Sequence, residues 1–163
     1  QMLGGLSGFD RHSSSGEVEA LEWPFADKDI LFFKTSHKVP THVHLKDWLA
    51  DKTLVETLQA LSQKAIEALK NSHWDGWAQA QREFSSALAS AGLEHADTGL
   101  LLKEMGSIPG VLGARGCGAL GADVIAVTIE KNKMTDVIQS LSHLKFVASL
   151  LKDKAYGPLI EVM

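Results

Sequence analysis

The spacing of apolar residues changes several times along these 163 residues, and each change marks an element. Residues 17–23 alternate charged and apolar side chains, the period of a strand with one buried face, and Pro24 ends the run. Ile30, Leu31, Phe32 and Phe33 are continuously apolar, as expected of a central strand covered on both faces. These two segments are expected to pair as a hairpin across a turn at 27–29. A helical block follows: it begins with Leu45, Trp48 and Leu49, and Leu54, Leu58, Leu61, Ala65 and Leu69 then recur at three- and four-residue steps, which buries one stripe of a long helix. Asn71, Ser72 and His73 interrupt it. Trp74, Trp77, Ala78, Phe84 and Leu88 trace a second helix that ends near Gly92. Residues 97–105 predict a third, short helix stopped by Gly106 and Pro109.

Two strand-like runs, 111–115 and 124–129, come next. The helical spacing then returns at Val137, Ile138, Leu141, Leu144, Val147, Ala148 and Leu151, which predicts a fourth helix over 133–151, and residues 159–162 predict a last strand. Strands and helices segregated in this order indicate an α+β domain, a ferredoxin-like antiparallel sheet with helices packed on one face.

Composition narrows the choice of partners. Hydrophobic residues make up 45% of the chain, enough for the core of a single domain over residues 1–163, and the net charge of −4 provides no basic field for nucleic acid or anionic lipid. No apolar run is long enough to span a bilayer, so no membrane partner is expected. The single cysteine, Cys117, excludes an intrachain disulfide and fits a reducing cytoplasm. His42 and His44, two apart, have the spacing of a chelating pair, but no third ligand is nearby and no metal site is expected. The chain opens without Met, as if entered within a longer protein. Gly4, Gly5 and Gly8 surround Ser7 in a turn-forming start whose carboxylate, Asp10, reads on residue type alone as a helix cap.

The most concentrated signal is Gly110, Gly113, Gly116, Gly118 and Gly121, closely spaced from the start of the first late strand to just before the second. Glycines so close are useful where the chain turns at positive φ or meets something at short range. The run lacks the Lys-Ser or Lys-Thr of a phosphate-binding P-loop, and it leads into a strand where a dinucleotide fingerprint opens a helix. A glycine-rich hairpin and a ligand-shaped loop both fit it.

Two motifs, taken together, carry a family resemblance. Ser7-Gly8-Phe9-Asp10 resembles the Pro-Ser-Gly-x-Asp segment of the GHMP small-molecule kinases, and Gly113-Ala114-Arg115-Gly116-Cys117-Gly118-Ala119-Leu120-Gly121 resembles that family's third, glycine-rich motif. Their order and separation resemble the family's C-terminal half and span nearly the whole chain. Leu6 stands in the place of the usual Pro, Arg115 where Lys is common, and Cys117 where Ser or Thr is usual. The family's Pro-x-x-x-Gly-Leu-Gly-Ser-Ser segment is not found in these residues, and the stretch 38–45 is similar to one in mevalonate-kinase-like members.

The resemblance implies the C-terminal, substrate-side domain of a kinase that transfers phosphate from ATP, with Mg²⁺, to a small alcohol such as mevalonate. It implies Asp10 as the catalytic carboxylate, and Ser7, Gly8, Gly113, Arg115, Gly116, Cys117 and Gly118 as substrate- or phosphate-binding. The ATP-binding N-terminal half would lie outside these residues and be the domain's partner, and the isolated chain would be inactive. A face left bare without that half would favour homodimerisation. A sugar or homoserine as acceptor, and a non-catalytic binding or regulatory α+β domain, are the alternatives.

Overall fold

The computed structural model describes residues 9–11, 18–20, 22–36 and 51–150. In chain order these form β1 (Phe9–Arg11), β2 (Val18–Ala20), β3 (Lys28–Lys34), α1 (Lys52–Lys70), α2 (Trp74–Ser90), α3 (Ala96–Met105), β4 (Val111–Cys117), β5 (Val124–Glu130), α4 (Met134–Ser140) and β6 (Lys145–Ser149). The last four strands make an antiparallel sheet in the order β4-β5-β3-β6. A strand, a helical excursion, a β4–β5 hairpin, a helix and a closing strand beside the first give the expected ferredoxin-like α+β topology.

The unbroken apolar run of β3 is explained by its central place. Leu31 and Phe33 face α3 and α4, fully buried with Ile125, Val127, Ile129, Met105, Val137 and Leu141. Ile30 and Phe32 point the other way, towards Ala126 and the α1–α2 hairpin. Each large side chain so buried contributes about 1.5–3 kcal/mol. The α3/α4 side is the expected helical layer. Helices also reach the opposite face, where α1 and α2 approach each other through Ala65, Ala68 and Ala80. That second layer arises because β3 and β5 are apolar on both sides. An aromatic group fastens the chain ahead of β3 to the start of α2: Trp23 meets Phe25 and Trp77 edge-on at 5.0 Å, and Phe25 meets Trp74 at 5.3 Å.

Two sequence expectations are corrected. Residues 17–23 do not pair with 30–35: both edges of β3 are taken, by β5 and β6, and β2 pairs antiparallel with β1. The fourth helix is short. It ends at Ser140, and Lys145–Ser149 is an edge strand on β3, with Phe33 opposite Phe146. The segments 45–49 and 159–162 lie outside the described residues. Among the described residues, no helix is long and apolar enough to cross a membrane.

Where β6 meets β3, Asp29 is completely buried, and its carboxylate accepts from the Ser149 hydroxyl at 2.6 Å and from the Ile30 N–H at 2.7 Å. A buried carboxylate stripped of a donor bears its full desolvation penalty. Ser149→Ala is therefore expected to lower stability by about 1–3 kcal/mol, read by chemical denaturation, although the side chain lost is small.

Candidate functional site

The glycine motif forms the β4–β5 hairpin. The strands pair from Val111 opposite Ile129 to Cys117 opposite Val124, and the connection turns through a short 3-10 segment at Ala119–Gly121. Gly118 and Gly121 sit at φ +87° and +65°, and Leu120 between them is also left-handed at φ 53°. Gly116 has ordinary φ but another reason to lack a side chain. A Cβ there would lie 2.7 Å from the Gly121 Cα and closer still to its carbonyl oxygen. Strand end and returning loop are thus in backbone-to-backbone contact, which only glycine permits. Gly113 differs, since a Cβ at that position would meet nothing within 4 Å.

Residues that sequence reasoning did not single out hold the loop in place. The Thr35 N–H donates to the Asp123 carbonyl at 3.1 Å, and its hydroxyl donates to the Ala122 carbonyl. The His95 N–H donates to the Leu120 carbonyl at 2.9 Å, and the Thr98 hydroxyl to the Gly121 carbonyl at 3.3 Å. Inside the loop, the Gly121 N–H bonds back to Gly118 and the Asp123 N–H to Cys117. The end of β3 and the first turn of α3 therefore brace the hairpin. No short motif flags Thr35, His95 and Thr98, because their roles come from tertiary approach across long sequence separations.

The other candidate residues separate in space. Arg115 extends from β4 opposite Ala126, on the face towards α2, where its Nη1 donates to the Gln81 Oε1 at 2.8 Å and its guanidinium lies 5.3 Å from the Phe84 ring centre. Cys117 is half-buried on the same face. Asp10 lies in strand β1, opposite Glu19 in β2, so the helix-cap reading of that carboxylate is overturned. Ser7, Gly8, His42 and His44 lie outside the described residues. Among the described residues, no group of three or more His, Cys, Asp or Glu side chains could hold a metal ion. The loop itself carries Asp123 against Gly118, and Arg115 is engaged elsewhere. The described residues alone do not fit an Mg²⁺ or nucleotide-phosphate site.

Taken together, the ferredoxin-like sheet and the braced glycine hairpin define the α+β fold of a GHMP-kinase C-terminal domain. Solved structures similar to this fold include several small-molecule kinases. Phosphomevalonate kinase from Streptococcus pneumoniae, in complex with phosphomevalonate and AMPPNP, superposes with a TM-score of 0.68 at 12% identity over 82% of this chain and 42% of its own. Mevalonate kinase from Methanococcus jannaschii gives 0.62 at 11% identity over 82% and 44%, and galactokinase from Lactococcus lactis, complexed with galactose, gives 0.57 at 13% over 78% and 43%. The chain spans less than half the length of each. The sequence matches no protein-family model and no curated protein.

Proposed function

We propose that this chain is the substrate-side domain of an ATP-dependent kinase that phosphorylates a small alcohol, with mevalonate or a related metabolite as acceptor. The observation that carries the reading is the braced hairpin, whose Gly116, Gly118 and Gly121 are fixed by backbone geometry within a fold shared with small-molecule kinases. Phosphoryl transfer is mostly positioning and charge stabilisation, and a rigid loop with bare backbone at the exposed Gly118 provides a place that a phosphorylated ligand can approach closely. Asp10 would accept or orient the proton of the attacking hydroxyl. Ser7 and Gly8 precede it in the same segment. The nucleotide and Mg²⁺ would be held chiefly by residues outside 1–163. The domain's partner is then the ATP-binding half, with self-association through exposed Leu100, Phe146 and Val147 as the homodimer option.

The test is an acceptor panel. The full-length protein is incubated with ATP and Mg²⁺ and with mevalonate, phosphomevalonate, galactose or homoserine, and phosphorylated product is followed by mass spectrometry. Product is expected from one acceptor, with mevalonate favoured. Absence of product from every alcohol would favour the non-catalytic domain reading.

A further inference from the structure

Between the α1–α2 hairpin and the sheet lies a cavity of about 270 Å³. Its floor is Ile30, Phe32, Ala126 and Thr128, and Trp74, Trp77 and Leu69 are among the side chains around it. A mostly apolar hollow of this size leaves its lining short of contacts on the cavity side, so filling it with a ligand of matching shape is favourable.

The charged residues of the lining are all of one sign. Arg115 and Arg82 border the cavity, and no aspartate or glutamate does among the described residues. Arg82 is exposed to solvent, whereas Arg115 is half-buried, with the Gln81 amide oxygen and the Phe84 ring as its partners. Both partners are neutral. A guanidinium has five N–H donors in a fork that matches a carboxylate or phosphate, and a half-buried cation facing only neutral groups is incompletely compensated. The contrast with Lys28 is direct: that cation also sits over an aromatic ring, 4.8 Å from the centre of Trp74, but it is paired with Asp27 at 2.7 Å.

We propose that this cavity binds a small amphipathic anion, its hydrocarbon or single-ring body against the indoles and Phe32 and its carboxylate or phosphate head on Arg115. The cavity's chemistry is the same whether or not the chain belongs to a kinase. Gly113 lines the same space, and a Cβ added there meets nothing within 4 Å on ordinary strand backbone, so a side chain can enter the cavity from this position.

Octanoate, octyl phosphate and octanol serve as probes of the full-length protein, with binding read by calorimetry and by tryptophan fluorescence. At least one of the two anions is expected to bind saturably and at least tenfold more tightly than octanol, and comparison of the two identifies the preferred head group. Added salt should weaken the anion and leave octanol unchanged. Arg115→Gln should bring the anion to the level of octanol, while Gly113→Leu should abolish binding of all three, with unfolding midpoints confirming that both variants fold. The salt series on wild-type protein decides the matter if Arg115→Gln does not fold. Saturable binding of none of the probes, equal binding of octanol and the anions, or an anion preference that survives Arg115→Gln in a folded protein would overturn the proposal.

Discussion

Gly116→Ala is expected to destabilise the domain by about 3 kcal/mol, near the upper end for an overpacked site and a large share of a typical stability of about 5–15 kcal/mol. The added methyl would be driven into the Gly121 backbone, 2.7 Å from its Cα. Neither side can yield easily. Gly121 is held by the Thr98 hydroxyl on its carbonyl and by its own bond to Gly118, and its neighbour Leu120 is held by the His95 N–H. Gly116 is fixed in turn by its pairing with Ile125, which is completely buried. The melting temperature should fall by roughly 6–12 °C in a domain of this size. Gly113→Ala, three residues earlier in the same motif, is the control. With open space at its Cβ, it should stay within about 0.5 kcal/mol of wild type. Equal stability of the two variants in thermal and chemical denaturation would remove the close approach from the account of the loop.

Much of the fold was legible because its signals are local. The stripe from Leu54 to Leu69, the glycine at the end of α2 and the apolar run of β3 each depend on nearby residues, and all three appear in the structure. The failures involve elements whose partners are distant. Residues 145–149 continue the three-four spacing of α4 with no glycine or proline to break it, and as an exposed edge strand they need not alternate cleanly. What makes them a strand is the vacant edge of β3, which no local pattern reveals. The same competition displaced β2. Its alternation was read as a strand, as it is, but β3 had already been claimed by β5 and β6.

The site was legible in part for the same reason. Clustered glycines announce backbone constraints, and Gly116 and Gly118 are constrained as expected, one by close approach and one by φ +87°. Gly113 belongs to the motif by spacing but has no such constraint. The direction in which Arg115 extends depends on strand register and on Gln81 and Phe84 of α2, so its place beneath the helical hairpin could not be read from the glycines around it.

The carboxylate at Asp10 carries the chemical half of the proposal. Removing a general base from a positioned hydroxyl costs about 10²–10⁴-fold in rate. Asn keeps the size and hydrogen-bonding reach of Asp but cannot take the proton. Asp10→Asn should therefore depress kcat by that factor and leave KM for the alcohol within a few-fold, since binding of the acceptor does not require the charge. Because Asp10 lies in the short β1–β2 ladder and outside the four-stranded sheet, the melting temperature should stay near that of wild type. The most direct measurement is ATP-dependent phosphorylation of the preferred alcohol by full-length wild-type and Asp10→Asn proteins, side by side and at matched folded concentration. Robust product from the first and a loss of at least a hundredfold in the second is the predicted result, and equal turnover by both, or none by either, would contradict it.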